Sequence, residues 1–262
     1  MLHYFRILGL FARVSIQNDA AYRADFFSSL VMSLLGFTAE LLNLWAIFSN
    51  VRSFNNWSVP QMVVLIGIFK TIQGMIGLFI APNMRMIMED IRDGRLDFAI
   101  LKPMHVQFYA SVRRLAFWRA TDVVLGLAMI VVGCSRLDLF PTVGMVSSFL
   151  VMLAAGMVII YSFWLVLATC AFWFTRLSNI EMVFWNLFEA GRYPVDIFPF
   201  GIRFALTYVV PLAFLTTYPA AALTGRMEFN WLVATVVLAG ISLFVSARFW
   251  QLGLRHYSGA SA

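Results

Sequence analysis

The sequence predicts an all-α integral membrane protein, and three observations carry the prediction. The chain has 262 residues, of which 61% are hydrophobic and 12% charged, with a mean hydropathy of +0.83. Its apolar residues fall in segments near the length of a bilayer crossing, and its arginines and lysines are unevenly placed between them. A water-soluble domain with so few charges could not cover its own surface. Six spans are expected, with an interfacial N-terminal helix, a cytosolic helix after the second span and a re-entrant or extracytoplasmic helical hairpin before the last. Residues 1–262 form a single transmembrane domain.

Within residues 1–22, Leu2–Ile16 is apolar but interrupted, and His3, Arg6, Arg13 and Gln17 lie close to one helical stripe. This predicts a helix lying on the cytosolic leaflet with basic side chains reaching toward phosphates, and no cleavable signal. A frayed lead-in to the first span is the alternative. About 20 apolar residues cross roughly 30 Å of hydrocarbon. Phe26–Phe48 and Met62–Ile80 meet that length as the first two spans, and Leu115–Gly133 and Val143–Phe174 as the third and fourth, the fourth being long enough to tilt or protrude. Ile180–Leu223 is too long for one span and is broken by Pro194, Pro199, Pro211 and Pro219, with Glu189, Arg192, Asp196 and Arg203 inside it. It divides into a fifth span from Ile180 to about Pro199 and a hairpin over 200–224 that returns to the same side. Trp231–Phe249 is the last span. Cys134 and Cys170 then fall near opposite faces of the bilayer and do not pair, serving as small apolar packing residues.

Between the second and third spans lies a polar island. Met84, Ile87, Met88 and Ile91 recur at i, i+3, i+4 and i+7, while Arg85, Glu89, Asp90, Arg92 and Asp93 cover the remainder. The spacing predicts an amphipathic helix over residues 84–93, stopped by Gly94. Its apolar face fits a cleft in a partner protein, with the flanking charges setting register. The alternative is that the face lies on lipid or on the protein's own helices.

Short cytosolic loops are enriched in Lys and Arg. With both termini inside, Arg6, Arg13, Arg23, Arg85, Arg92, Arg95, Lys102, Arg113, Arg114, Arg119, Arg176, Arg248 and Arg255 lie on or near the cytosolic side, against Arg52, Arg136, Arg192, Arg203 and Arg226 outside. The net charge of +6 therefore reflects topology and anionic lipid headgroups, and nucleic acid is excluded as a partner.

Two intramembrane charges stand out. Glu40 lies nine residues before the outer end of the first span at about Ser49, and Lys70 nine after the start of the second at Gln61. Both come to roughly 13 Å below the outer surface, where an ionisable group costs about 2.5–3.5 kcal/mol or more. They are expected to pair, either as a structural bridge or as part of a substrate contact. Glu189, near the kinked Gly191–Pro199 stretch, sits among Trp185, Phe188, Tyr193, Phe198 and Phe200 and suits an amphipathic cation. Asp122, three residues after Arg119, reads as half of a local intrahelical pair.

No phosphate-binding loop of the G-x-x-x-x-G-K-[ST] type occurs, and the nearest fragment, Gly67-Ile-Phe-Lys-Thr71, has the wrong spacing. His3, His105 and His256 lie far apart, which suggests neither a metal site nor a nucleophilic triad. No clustered polar groups at one membrane depth support an intramembrane enzyme.

The order of elements, with Gly94-Arg-Leu-Asp97, Leu101-Lys-Pro103, Gly191-Arg-Tyr-Pro194, Ile197-Phe-Pro199, Pro211-Leu-Ala-Phe214 and Tyr218-Pro219, resembles the type-2 permease family of ATP-binding cassette exporters over nearly the whole chain. The resemblance implies a permease subunit that forms half of a translocation pathway for an amphipathic drug, lipid, glycan or peptide. Helices one, two and five would line that pathway. It implies that Met84–Asp93 is the coupling helix docking in a cleft of the ATPase subunit, with Met84, Arg85, Ile87, Met88, Glu89, Ile91 and Arg92 in the contact and Gly94 and Asp97 closing it. It also implies that ATP and magnesium are bound by two separately encoded ATPase subunits, with no cofactor in this chain. The second permease is either a copy or a paralogue, and the complex sits in the cytoplasmic membrane. A transporter driven by an ion gradient is the alternative, although such folds often carry matched broken helices in two halves, and here only Ile180–Leu223 is broken. Import within the ATP-driven class is a third reading.

Overall fold

The computed structural model describes residues 2–21, 23–50, 53, 55–137, 141–174 and 178–257. Arg52 and Arg176 of the charge count lie outside the described residues, as do Met1 and Tyr22 of the N-terminal segment. Helix α1 (Leu2–Ala21) precedes α2 (Arg23–Asn50), the first span. α3 (Val59–Met75) begins at Ser58, whose N–H donates to Gln61 Oε1 at 3.0 Å, with Pro60 in the first turn where a missing N–H costs nothing. It runs through a π-helical turn, Ile76–Ile80, into α4 (Ala81–Arg92). Val59–Arg92 is therefore one helix of 34 residues, about 50 Å long.

A short turn α5 (Asp97–Ile100), α6 (Val106–Val112) and a 3₁₀ turn, Phe117–Arg119, lead into the third span, α7 (Ala120–Ser135). The fourth, α8 (Val143–Thr169), is capped by Thr142, whose hydroxyl accepts from Met145 N–H. After α9 (Ser178–Phe188) come two 3₁₀ turns, Glu189–Arg192 and Val195–Ile197. α10 (Phe200–Phe204) continues as a π turn, and a second π turn, Ala213–Thr217, continues as α11 (Tyr218–Leu223). α12 (Phe229–His256) is the last span. Among the described residues five helices are long and apolar enough to cross a membrane, and a sixth crossing results if Phe200–Val209 and Ala213–Leu223, bent by 77°, count as one.

The fold's centre is the seam between α3 and α7. Glycines occupy both sides: a Cβ on Gly67 would lie 2.8 Å from the Gly126 carbonyl oxygen, one on Gly126 2.5 Å from the Thr71 nitrogen, and one on Gly133 2.9 Å from the Val64 nitrogen. Each position faces backbone, so the helix axes approach as closely as main chains allow. That contact replaces the hydrophobic drive that lipid does not supply. α8 packs beside α12, where the Phe172 ring fills the space above Gly253.

The expected fifth span from Ile180 to Pro199 is not a single helix. α9 ends at Phe188 because the chain ahead cannot continue it: Tyr193 before Pro194 and Phe198 before Pro199 are extended, at φ −116°, ψ 148° and φ −83°, ψ 147°. The segment still travels the length of the bundle. At one end Arg85 of α4 holds Glu181 of α9; at the other Asn55, in the loop between α2 and α3, donates to the Asp196 carbonyl at 3.0 Å. That same loop receives Arg226, whose guanidinium donates to the Asn56 carbonyl at 2.7 Å and lies 5.0 Å from the Trp57 ring centroid. The bent pair 200–223 thus starts and finishes at one end of the bundle.

Candidate functional site

Two features carry the chemistry that the fold positions: an arm that extends the second span and packs on the core, and a chain of charges inside the bundle.

The arm is built from α4, the reversal after it and α5. The amphipathic stripe of α4 points inward: Met84 and Ile87 are 0% and 1% exposed, Ile91 is buried and Met88 half-buried, all packed on the main core. This corrects the expectation that these four residues offer an apolar face to a partner. The stripe attaches the arm to the body, and the helix is a continuation of the second span. Arg85, Glu89, Arg92 and Asp93 are exposed. The Arg85 guanidinium lies 2.8 Å from both carboxylate oxygens of Glu181, which also accepts from Trp185 Nε1 at 3.2 Å. Arg92 pairs with Asp93 at 3.0 Å.

At the arm's end the chain reverses. Gly94 adopts φ +69°, a left-handed conformation open to glycine, and the backbone N–H groups of Arg95 and Leu96 return to the Asp90 carbonyl at 2.8 and 3.2 Å. The Asp90 carboxylate binds Arg113 at 2.6 Å and Arg95 at 3.3 Å, tying the turn to α6. Leu96 is buried, Asp97 opens α5, and α5 then turns its apolar side outward. Phe98 is 71% and Leu101 81% exposed, with Ile100 exposed between them. Lys102 stands 3.9 Å above the Tyr109 ring. Sequence reasoning missed the exposure of Phe98 and Leu101 because two apolar residues three apart, one in a four-residue helix and one just after it, make no measurable period.

The arm joins the body through the π turn. A π turn leaves a carbonyl without its helical partner, and here the Leu78 carbonyl accepts from Ala116 N–H at 2.8 Å. Asn83 clamps the same strip, donating to the carbonyls of Phe79 at 2.6 Å and Arg114 at 2.7 Å while its own oxygen accepts from Arg114 N–H at 3.0 Å. α1 holds the far side, with Ser15 Oγ accepting from Leu115 N–H at 3.1 Å and Asp19 from Phe117 N–H at 3.0 Å. The base of the arm and the start of the third span thus form one hydrogen-bonded unit.

Inside the bundle, Lys70 lies 3.9 Å from Glu40, and closer, at 3.2 Å, to Asp122. Sequence spacing pairs Asp122 with Arg119 alone. Asp122 does meet Arg119 at 3.1 Å, and it also accepts from Ser33 of α2. Glu40 is shared with Arg192 at 3.6 Å, and Arg192 with Glu189 at 2.5 Å. The result is a ladder of alternating sign, Glu189–Arg192–Glu40–Lys70–Asp122–Arg119, that joins α9's end to α2, α3 and α7 with three charges of each sign. Glu40, Lys70 and Asp122 are buried, while the Glu189 side chain is 42% exposed. The aromatic cage expected around Glu189 does not form. Phe188 stacks on Phe69 and Phe184 in the core, Trp185 packs edge-on to Phe184 and Phe188, Phe200 is exposed, and the cation beside Glu189 is the protein's own Arg192.

Residues 34–261 match the family described as ABC-2 family transporter protein. No curated protein matches the chain.

Proposed function

The chain belongs to the ABC-2 family of transporter proteins, and from that membership we propose that it is the permease subunit of an ATP-driven exporter, working with separate ATPase subunits and a second permease. The observation that carries this reading is the outward-facing apolar turn at Phe98 and Leu101. Large apolar side chains exposed at the end of a rigid, charge-braced arm, beyond the membrane-spanning part of the bundle, match a short helix seated in a groove of a water-soluble partner. The arm's end also gathers Arg85, Arg92, Arg95, Lys102, Arg113 and Arg114, which supports the reading of this end as the cytosolic side of the cytoplasmic membrane, with both termini inside.

In this account ATP and magnesium act on the partner. When two ATPases close on each other, the turn at 98–101 moves with them. The buried stripe of α4 carries that motion into the Val59–Arg92 helix, and the hydrogen-bonded unit at the π turn passes it to α7. The surface where Glu189 and Arg192 emerge, beside α2 and α3, faces the pathway or the second permease, because a charged pair exposed at membrane depth is not placed against hydrocarbon. The bent pair 200–223 is a re-entrant hairpin closing the outer end. The cargo is an amphipathic drug, lipid or glycan. Purifying the chain from its native membrane in mild detergent and identifying its companions tests the reading: an ATPase subunit with the signature Walker loop should co-purify, and its absence would overturn it.

A further inference from the structure

A second site lies away from the pathway surface, in a cleft of about 460 Å³ between α1, the first turns of α2 and the segment leading to the third span. At about 30 Å³ of liquid per water molecule the cleft has room for roughly fifteen waters or a polar group of that size. Its walls are fixed. Ser15 and Asp19 hold the backbone at Leu115 and Phe117, Asn83 holds it at Arg114, and Arg113 is held by Asp90.

The cleft is lined by charges of both signs. Arg113 and Arg114 stand on one wall, Asp19 and Asp25 on the helices opposite. Arg113 and Asp19 are engaged in the scaffold, but the Arg114 guanidinium and the Asp25 carboxylate are exposed and have no ion-pair or hydrogen-bond partner among the described residues. A cation and an anion without partners among the described residues, in one fixed cleft, call for a ligand with a fixed anion and cation of its own. Position narrows the ligand further: the cleft opens where an interfacial helix meets the start of the first span, and below Asp25 and Ser29 the same side of α2 continues through exposed Met32 and Gly36. A ligand there has a polar end at headgroup level and an apolar end along α2.

We propose that this cleft binds a membrane phospholipid with a phosphoethanolamine headgroup, its phosphate on Arg114 with support from Arg113 and its ammonium on Asp25 with support from Asp19. Guanidinium groups hold phosphate oxygens through charge-assisted hydrogen bonds. The primary ammonium donates to carboxylates, which a quaternary choline cannot do, and Trp118, the indole of the cleft, already has the Arg119 guanidinium 4.1 Å from its ring centroid. The assignment rests on the reading of this end as the cytosolic headgroup level, but it does not depend on any ATPase.

The test uses the full chain alone, purified in detergent and offered equal amounts of phosphatidylethanolamine, phosphatidylcholine and phosphatidylglycerol, with retained lipid counted by native mass spectrometry. Wild type should retain phosphatidylethanolamine in excess over phosphatidylglycerol, by up to about fivefold, the ratio of one exposed charge pair. Asp25→Asn should remove that preference while keeping phosphatidylglycerol, and Arg114→Gln should lower the retention of all three. Both side chains are exposed and without partners among the described residues, so both variants should keep the wild-type gel-filtration profile. Equal retention of the three lipids by wild type, or the same loss of every lipid in both variants, would overturn the proposal. So would displacement of the lipid by soluble glycerophosphoethanolamine at equal concentration, which would make the site one for the free headgroup. Loss of ATPase co-purification with lipid preference intact would count against the permease reading and leave this site standing.

Discussion

Replacing Lys70 by Met keeps a linear side chain of similar volume and removes the positive charge between Asp122 at 3.2 Å and Glu40 at 3.9 Å. At an effective dielectric constant of about 20 those separations correspond to attractions of roughly 5 and 4 kcal/mol. Desolvation of three buried ions cancels much of this, and breaking a buried pair from one side costs about 3–5 kcal/mol net. The structure places Lys70→Met near the lower end, about 3 kcal/mol, because neither carboxylate is left alone: Asp122 keeps Arg119 at 3.1 Å and Ser33, and Glu40 keeps Arg192 at 3.6 Å. Unfolding of the purified chain in mixed micelles, followed by tryptophan fluorescence, reads the loss. Adding Glu40→Gln to Lys70→Met should recover more stability than adding Asp122→Asn, since Glu40 is left with the more distant cation and a buried Oε2 without a hydrogen bond, whereas Asp122 keeps Arg119 and Ser33. If Lys70→Met costs less than about 1 kcal/mol, or if the double variants lose the plain sum of their single losses, the three charges do not act as a unit and the reasoning fails.

Three further outcomes concern the packing and the arm. Gly126→Val puts side-chain atoms where even a Cβ would lie 2.5 Å from the Thr71 nitrogen, so α3 and α7 must separate; we expect a loss of more than about 3 kcal/mol and little folded protein by gel filtration, whereas Gly240→Ala, with open space at its Cβ, should behave as wild type. Met84→Asp or Ile87→Asp buries a charge in the core and should abolish the folded peak in the same assay, since each side chain is essentially inaccessible. Arg85→Ala removes a largely exposed partner of Glu181 and should cost under about 1 kcal/mol in micelle unfolding.

The spans are legible in the sequence because lipid imposes a simple rule: about 20 apolar residues in a row are needed to cross. Phe26–Phe48 and Trp231–Phe249 differ from α2 and α12 only by extension at their ends. Proline predicts that Ile180–Leu223 breaks, but composition cannot show that α9 stops at Phe188 and hands the crossing to 3₁₀ turns. The α4 stripe is amphipathic as its spacing predicts, yet its neighbour is not the expected one. A helix period says that one face is buried and is silent on what buries it, and here the core takes Met84, Ile87 and Ile91. For the charges, depth counting brings Glu40 and Lys70 together, but Asp122 is hidden by its local partner Arg119. Linking it to Lys70 needs the close α3–α7 approach that Gly67 and Gly126 permit.

The proposed coupling is tested most directly by purifying the chain from its native membrane as wild type and as the Phe98→Asp/Leu101→Asp variant, with companions identified by mass spectrometry. Both side chains are exposed, so the permease should elute identically in both forms. Docking through the 98–101 turn predicts an ATPase subunit with wild type and its loss with the variant. An ATPase that stays bound to the variant, or none with either form, would contradict it.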